Sequence, residues 1–228
     1  MRVDDFIVLG RTTPVASKKY GHCVCVAGYS EELRGFMRIY PTKIQSKIKT
    51  LCRLSVEVER KSEDKRFESW ALKTRSEDSI LSVSAPLHKN DILPILKNNI
   101  SESVKVLDQP DRRGIKSSLG VIKPEQFEIV TEQRKGFIQH DKGIKTMECF
   151  PIIPRLEIPK VFNEQARFMI NEWGLYQLMS KYEMAGKTLT ATDIKNALHI
   201  TEGKDVYFLM GNMNKNKNRW LVIKVFTF

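Results

Sequence analysis

Alternating apolar and polar positions predict a series of short strands in the first third of the chain. Each run ends at a glycine, a proline or a polar turn, as strands do. The run at 51–59 alternates most regularly, with Leu54, Val56 and Val58 on one face. Strands joined by short turns predict a strongly bent sheet or a partly open small barrel. The predicted strands are Asp5–Leu9, His22–Ala27, Phe36–Tyr40, Leu51–Glu59 and Glu68–Lys73.

The pattern changes after residue 83. Leu87, Ile92, Leu96 and Ile100 lie close to a 3.6-residue spacing, which is typical of a helix packed along one face. Polar and basic segments follow, so residues 84–150 are predicted to form a helical and loop insertion.

The last third combines strands and helices. Arg155–Phe162 alternates around Pro159 and predicts an edge strand, because proline cannot donate to a central ladder. Glu164–Tyr182 carries a wide apolar face and is the best-marked helix that the sequence predicts. A second helix capped at 190–192 and a hairpin of 205–210 with 220–228 complete the region.

These elements predict an α+β fold with a strand-rich N-terminal lobe, a helical middle and a C-terminal helix plus β-hairpin. We expect one compact domain over residues 1–228, divided into a basic lobe (1–83), the insertion (84–150) and the C-terminal part (151–228). The apolar terminal strands are expected to complete the N-terminal sheet.

The charge distribution is strongly biased toward positive residues. The 228-residue chain has a formal net charge of +11, and nine lysines and arginines but two acids lie between Phe6 and Val56. A folded surface with this bias attracts polyanions, since each cation that reaches a phosphate releases condensed counterions. Simple solubility explains the same charge without any ligand.

Three basic clusters are therefore candidates for contacts with nucleic acid. Lysine and arginine supply charge, and an aromatic ring beside them offers a platform for a base. The first cluster is Arg11, Lys18, Lys19, Arg38, Tyr40 and Lys43, the second is Arg112, Arg113 and Lys116, and the third is Lys215, Lys217 and Arg219. They form one surface only if the fold brings their loops together.

An enzyme alternative depends on the end of the fourth predicted strand. Glu57 and Glu59 share a face with Lys61, and Asp64 follows, a pattern seen where carboxylates hold Mg²⁺ in metal-dependent nucleases. An exposed strand face with alternating charges explains the same residues. Asp64 is also part of Asp64-x-Arg66-x-Glu68-Ser69, in which an ion pair that holds the turn is the simpler interpretation.

The sequence gives little support for a zinc site, a catalytic dyad or a nucleotide-binding motif. The four cysteines lack paired metal spacing, the four histidines form no i, i+4 pair, and no phosphate-binding glycine motif is present. No catalytic set, metal site or resident cofactor is therefore predicted, apart from Mg²⁺ under the nuclease alternative. No apolar stretch approaches membrane-spanning length, and we expect a cytoplasmic protein without a membrane partner.

A third alternative is a protein-protein adaptor. The aromatic helix around Trp173 and Tyr176 could meet a protein partner. Amphipathic helices usually bury such a face in their own core, which is the preferred interpretation here.

Several phrases occur together in a fixed order. They include Lys19-Tyr20 with Val24-Cys-Val-Ala-Gly28, Arg38-Ile-Tyr-Pro41, Asp64-x-Arg66-x-Glu68-Ser69 and Ser118-Leu-Gly-Val-Ile-Lys-Pro124. The chain resembles a group of uncharacterised bacterial proteins that share these phrases. The resemblance implies a common fold and no particular reaction. We expect a nucleic-acid-binding module or subunit of a bacterial assembly, such as a defence or mobile-element system.

Overall fold

The computed structural model describes residues 1–61, 63–136, 144–161, 164–214 and 219–228. No helix within these ranges is both long and apolar enough to cross a membrane. The described part of the first 83 residues forms seven strands. They are β1 (Arg2–Arg11), β2 (Val15–Ser17), β3 (Gly21–Ser30), β4 (Gly35–Lys43), β5 (Arg53–Glu59), β6 (Ser69–Leu72) and β7 (Ile80–Val83).

Five of these strands close into a barrel. The hydrogen-bonded order is β1-β3-β4-β6-β5, and β5 pairs back with β1 to complete the ring. β4 and β6 run parallel, whereas the other neighbours in the ring are antiparallel. β2 extends the edge of β3, and β7 extends β5. The predicted partly open barrel is therefore wrong in one respect, because the ring is closed.

Alternation along the strands fills the barrel interior. Phe6, Val26, Ile39 and Val56 have no exposed surface and belong to one buried cluster. The segment between β4 and β5 adds Ile48, which is also fully buried in that cluster. Inward-facing residues of small barrels are packed in this way, since little space is left for water.

In the rest of the described chain there are a second sheet and four short α-helices. The sheet order is β10-β11-β12-β14-β13-β9-β8. The elements are α1 (Lys89–Asn98), β8 (Ile100–Ser101), α2 (Val104–Leu107), β9 (Leu119–Ile122), β10 (Glu128–Gln133), β11 (Ile152–Val161), β12 (Glu164–Ile170), α3 (Trp173–Met184), α4 (Ala191–Ala197), β13 (Val206–Asn212) and β14 (Trp220–Thr227).

The second sheet is buried on both faces at its centre. Phe208 and Val222 pack in the same cluster as Leu175 of α3. Leu209 and Ile223 point to the opposite side and share a cluster with β1 and α1; its barrel members are Ile7, Leu9 and Ala27. At Gly10 of β1 an added Cβ would lie 3.0 Å from the Ile223 Cγ2 atom, so the barrel and the sheet approach closely.

The predicted α+β class with a helical middle is wrong. Strands hold 43% of the described residues and helices, including 3-10 helices, 20%. Between residues 84 and 150 the described chain has only the short helices α1 and α2 and one 3-10 turn at Met147–Cys149. β9 and β10 occupy the region instead. All four residues of β9 are buried, and a short apolar run buried on both faces cannot be told from a helix by its spacing.

Two further element predictions need correction. The predicted helix Glu164–Tyr182 begins at Trp173, because residues 164–170 form β12 between β11 and β14. The terminal hairpin forms as predicted, yet it completes the second sheet and not the barrel. β11 is likewise interior and not an edge strand, since β10 covers its outer side.

Candidate functional site

Arg11, one of the predicted phosphate contacts, is buried. Its side chain is 7% exposed, and its guanidinium donates to the carbonyls of Ile44 (2.8 Å) and Ile48 (3.1 Å). The guanidinium carbon also lies 4.6 Å from the centre of the Trp173 ring. Burial lowers the pKa of this arginine from its ordinary value. Arg11 therefore holds the segment between β4 and β5 and gives no surface to a ligand.

Arg38, another predicted contact, is 3% exposed and lies where the barrel meets the second sheet. Its guanidinium donates to the Asn212 carbonyl at 3.1 Å and to the backbone and hydroxyl oxygens of Ser118. Burial lowers the pKa of Arg38 to about 10. The side chain joins the two sheets.

Arg66 reaches the same carbonyl from the connection between β5 and β6. It donates to Asn212 at 2.7 Å and forms an ion pair of 2.5 Å with Asp64. Ser69 also donates to Asp64. Burial pushes the pKa of Asp64 upward, but the hydrogen bonds from Arg66 and Ser69 outweigh it and lower that pKa to about 2. The predicted ion pair of this turn is therefore present, and it anchors the terminal hairpin as well.

A group of cations and tyrosines lies at the surface beside this junction. Two rings, Tyr20 and Tyr40, meet edge to face with centres 6.5 Å apart. The Lys61 ammonium lies 4.7 Å from the Tyr20 centre and 5.3 Å from the Tyr40 centre. Lys19 and Arg75 lie 5.5 and 5.1 Å from the Tyr20 centre. We call these five residues, Lys19, Tyr20, Tyr40, Lys61 and Arg75, the tyrosine cluster.

Hydrogen bonds fix the rings of the tyrosine cluster. The Tyr20 hydroxyl donates to Glu63 at 3.4 Å, and Lys19 forms an ion pair with the same carboxylate. The Tyr40 hydroxyl and the Cys23 thiol are 3.4 Å apart. Burial raises the pKa of both the Tyr40 hydroxyl and the Cys23 thiol, so both stay neutral at physiological pH. The rings accordingly present π faces and no negative charge.

Arg75 reaches Tyr20 from a strained backbone. Thr74 and Arg75 have φ angles of 54° and 55°, which place two consecutive residues other than glycine in the left-handed region. For a β-branched residue such as Thr74 this conformation is a genuine outlier, and each such residue costs on the order of 1–3 kcal/mol. Strain of this kind concentrates at functional sites, where it holds a side chain in a required position.

A second group of cations and rings lies at the two ends of the connection between β5 and β6. The Arg60 guanidinium is 3.7 Å from the Trp70 centre and 5.2 Å from the Phe67 centre. Arg113, from the part of the chain that follows the barrel, approaches Phe67 at 5.6 Å and is paired with Asp111. Phe67 is 50% exposed. We call Arg60, Phe67, Trp70 and Arg113 the phenylalanine cluster.

The β5–β6 connection contacts residues of the first and second predicted basic clusters. Arg60 and Lys61 are consecutive residues, yet one contacts the phenylalanine cluster and the other the tyrosine cluster. The hairpin with the third predicted cluster starts at Asn212, which Arg66 of this connection holds. Arg219, directly before β14, is exposed, whereas Lys215 and Lys217 lie outside the described residues.

The four remaining predicted contacts are exposed, and each lies close in sequence to a residue of the two clusters or of their strands. Lys18 precedes Lys19 in the turn before β3. Lys43 lies opposite Cys23 where β3 and β4 pair. Arg112 and Lys116 flank Arg113 in its loop. All four side chains are accessible to a ligand.

The residues of the nuclease alternative do not converge. Glu57 pairs with Lys73 at 3.2 Å, Asp64 is committed to Arg66, and Lys61 points to the tyrosines. Across the described ranges, no three His, Cys, Asp or Glu side chains lie together as ligands for a metal ion. This arrangement lends the nuclease alternative no support.

The adaptor alternative depended on the exposure of the aromatic helix. Trp173 is half-buried, with Arg11 over its ring and the Tyr176 ring centre 5.4 Å away. The face that would meet a partner is therefore largely occupied by the chain itself.

Sequence reasoning missed several residues of the two clusters. Arg60, Phe67, Trp70 and Arg75 were not candidates, although basic and aromatic residues are interleaved through 60–75. That interleaving is the signal that could have found them, since stacking surfaces combine rings with cations.

Comparison with known proteins finds a likeness in the N-terminal part of the chain. No curated protein matches the chain. A family model described as "Domain of unknown function (DUF8758)" matches residues 3–93. The matched segment contains the barrel, the complete tyrosine cluster and every residue of the phenylalanine cluster except Arg113. The barrel half of this chain is thus similar to a protein family whose function is not defined.

Proposed function

We propose that this chain binds nucleic acid through the tyrosine and phenylalanine clusters. The observation that carries the proposal is the way their cations are held. Lys61, Arg60 and Arg75 lie against aromatic rings, and none of them has an ion pair with a described carboxylate. A ring fixes a cation without cancelling its charge, so the surface stays positive and ordered for a polyanion.

The topology of the barrel supports the same proposal by analogy. Counted along the chain, its five strands close in the order first, second, third, fifth, fourth, with the third and fifth parallel. This is the arrangement of the OB fold, whose ligands bind over the second and third strands and the loops after the first and fourth strands. Lys19 and Tyr20 lie in the first of these loops, Arg60 and Lys61 in the other, and Tyr40 on the third strand. A fold alone does not establish a function, and the analogy adds to the chemistry of the side chains.

Single strands are the expected ligands. Exposed Phe67 offers a π face, and a base can stack on it only when the base is not enclosed in a duplex. A major groove admits an α-helix or a projecting two-stranded β-ribbon. No side chain of either cluster lies on an element of either kind.

The test is binding of the full chain to fluorescent 12-nucleotide DNA and RNA strands and to the matched duplex, measured by anisotropy over a range of salt concentrations. We expect single strands to bind more tightly than the duplex. The variant Arg60→Gln with Lys61→Gln should weaken single-strand binding at least tenfold, and each lost phosphate contact should reduce the salt slope by about 0.7.

A matched control removes the same charge elsewhere. Lys97→Gln with Lys187→Gln alters two exposed lysines outside the barrel and should change affinity by less than about threefold, since these positions make no phosphate contact in the proposal. Equal losses in the two double variants would show attraction to net charge alone and would overturn the proposed site. Membership of a larger bacterial assembly stays a prediction from the sequence.

A further inference from the structure

Positive charge in the tyrosine cluster exceeds its local compensation. Lys19, Lys61 and Arg75 all lie within 5.5 Å of the centre of one ring, that of Tyr20. The one carboxylate that contacts the cluster among the described residues is Glu63, which pairs with Lys19. Asp64 also attracts Lys61, but its charge is already paired with Arg66. Three positive charges less the one negative charge of Glu63 therefore leave two without a carboxylate of their own.

This excess is costly in the free protein. Lys61 is half-buried, and burial together with the neighbouring Arg75 lowers its pKa. Like charges held this close repel one another, and the strained backbone of Thr74 and Arg75 keeps the guanidinium in place despite that repulsion. An anion of matching charge would offset both the burial of the Lys61 charge and the repulsion between the cations.

We propose that the tyrosine cluster recognises the terminal phosphate monoester of a nucleic-acid strand. The proposal rests on the proposed function and specifies which part of the strand this cluster takes. A phosphate monoester carries about −1.5 to −2 charges at pH 7, whereas an internal diester carries one. Two uncompensated cations therefore match the end of a phosphorylated strand better than its interior.

The arrangement of the rings agrees with a division of labour between the clusters. Three cations surround Tyr20, so its faces are not free to stack on a base. Phe67 of the phenylalanine cluster is exposed and has room for one. A strand with its terminal phosphate at the tyrosine cluster would run along the β5–β6 connection toward Phe67.

The experiment compares three versions of one 12-nucleotide single strand, with a 5′-phosphate, a 3′-phosphate or hydroxyls at both ends. Binding to the full chain is measured by anisotropy at pH 7.5. We expect one of the phosphorylated strands to bind at least tenfold more tightly than the hydroxyl strand. The preference should shrink toward pH 5.5, because the second pKa of the phosphate is near 6 and the monoester becomes monoanionic there.

Variants separate recognition of the end from general attraction. Arg75→Gln should reduce the preference to about twofold or less. Lys73→Gln, which removes an exposed lysine two residues away in the chain, should retain it. Equal binding of all three strands, with single-strand binding intact, would overturn this inference and leave the proposed function standing. Absence of binding to any strand would overturn the proposed function itself.

Discussion

At the residue scale, burial decides what an arginine does in this protein. Arg38 and Tyr40 alternate onto the outer face of β4, as their spacing indicates, because Met37 and Ile39 belong to the barrel interior. The second sheet covers that face at Arg38 and leaves it partly open at Tyr40. The sequence shows the shared face, but it carries no local signal for where another sheet will cover it.

The buried set around Asp64 yields a prediction about stability. Asp64→Asn keeps the shape of the side chain but leaves the buried Arg66 guanidinium without its carboxylate, and we expect a loss of about 3–5 kcal/mol in the free energy of unfolding. Urea denaturation at pH 7 measures it. Glu57→Gln, which breaks an exposed pair, should cost at most about 1 kcal/mol.

The effect of Asp64 should also depend on pH. Its pKa is lowered to about 2 in the folded chain, against an ordinary value of 3.8. The stabilisation from the ionised carboxylate is therefore fully present above about pH 4 and is lost as the pH falls toward 2. A difference between wild type and Asp64→Asn that stays constant from pH 6 to pH 2.5 would contradict the assigned ion pair.

At the element scale, strand pairing depends on close backbone contact at Gly28. A Cβ at this position would lie 2.1 Å from the Ile7 carbonyl oxygen and 2.6 Å from the Phe6 ring. Gly28→Ala should therefore separate β1 from β3 and destabilise the chain by about 3 kcal/mol or more, as measured by thermal and urea unfolding. Gly35→Ala is the control, because its Cβ would meet nothing closer than 3.8 Å. Similar stability of the two variants would contradict the close approach of β1 and β3 at this position.

Elements differed in how well the sequence predicted them. Five of the seven early strands and the terminal hairpin were found because alternation and turn residues mark them locally, whereas the short β2 and β7 were missed. β12 was mistaken for helix because its residues, 164–170, precede a true helix and share its apolar content. Pairing with β11 and β14 overrides that local preference, and such pairing involves residues distant in the chain.

Prediction of the candidate site from the sequence meets the same limit, since some of its contacts join residues distant in the chain. Lys19 and Tyr40 were predicted, since they lie in a basic stretch of the early strands. The approach of Lys61 to both tyrosines, and of Arg113 to Phe67, depends on barrel closure and on contact between the two halves. Neither contact has a sequence pattern, because each joins residues that are far apart in the chain.

At the scale of the whole molecule, the barrel and the second sheet share apolar and polar contacts. Ile7 and Leu9 pack with Leu209 and Ile223, and Arg38 bonds across the boundary to Ser118. Isolation of either half would expose these groups. We accordingly propose that residues 1–228 behave as one cooperative unit.

Single-tryptophan variants test this proposal. Trp70 reports on the barrel and Trp220 on the second sheet, so chains that retain one or the other should show coincident urea transitions. Leu209→Ala should shift both transitions together, with a loss of about 2–5 kcal/mol, because it opens a cavity in the shared cluster. Two separate transitions, or a shift confined to Trp220, would indicate two independent domains.

The adjacency of Arg60 and Lys61 has a consequence for how this protein can diverge. These neighbours serve different sets of rings, and each set is fixed by other parts of the barrel. One residue inserted between them, or one residue deleted directly beside them, would turn a cation away from its ring, whatever the identity of the amino acids. Evolution can therefore exchange side chains in this short stretch far more easily than it can alter the number of residues, so a constant spacing here should be a more faithful mark of shared ligand chemistry than overall similarity.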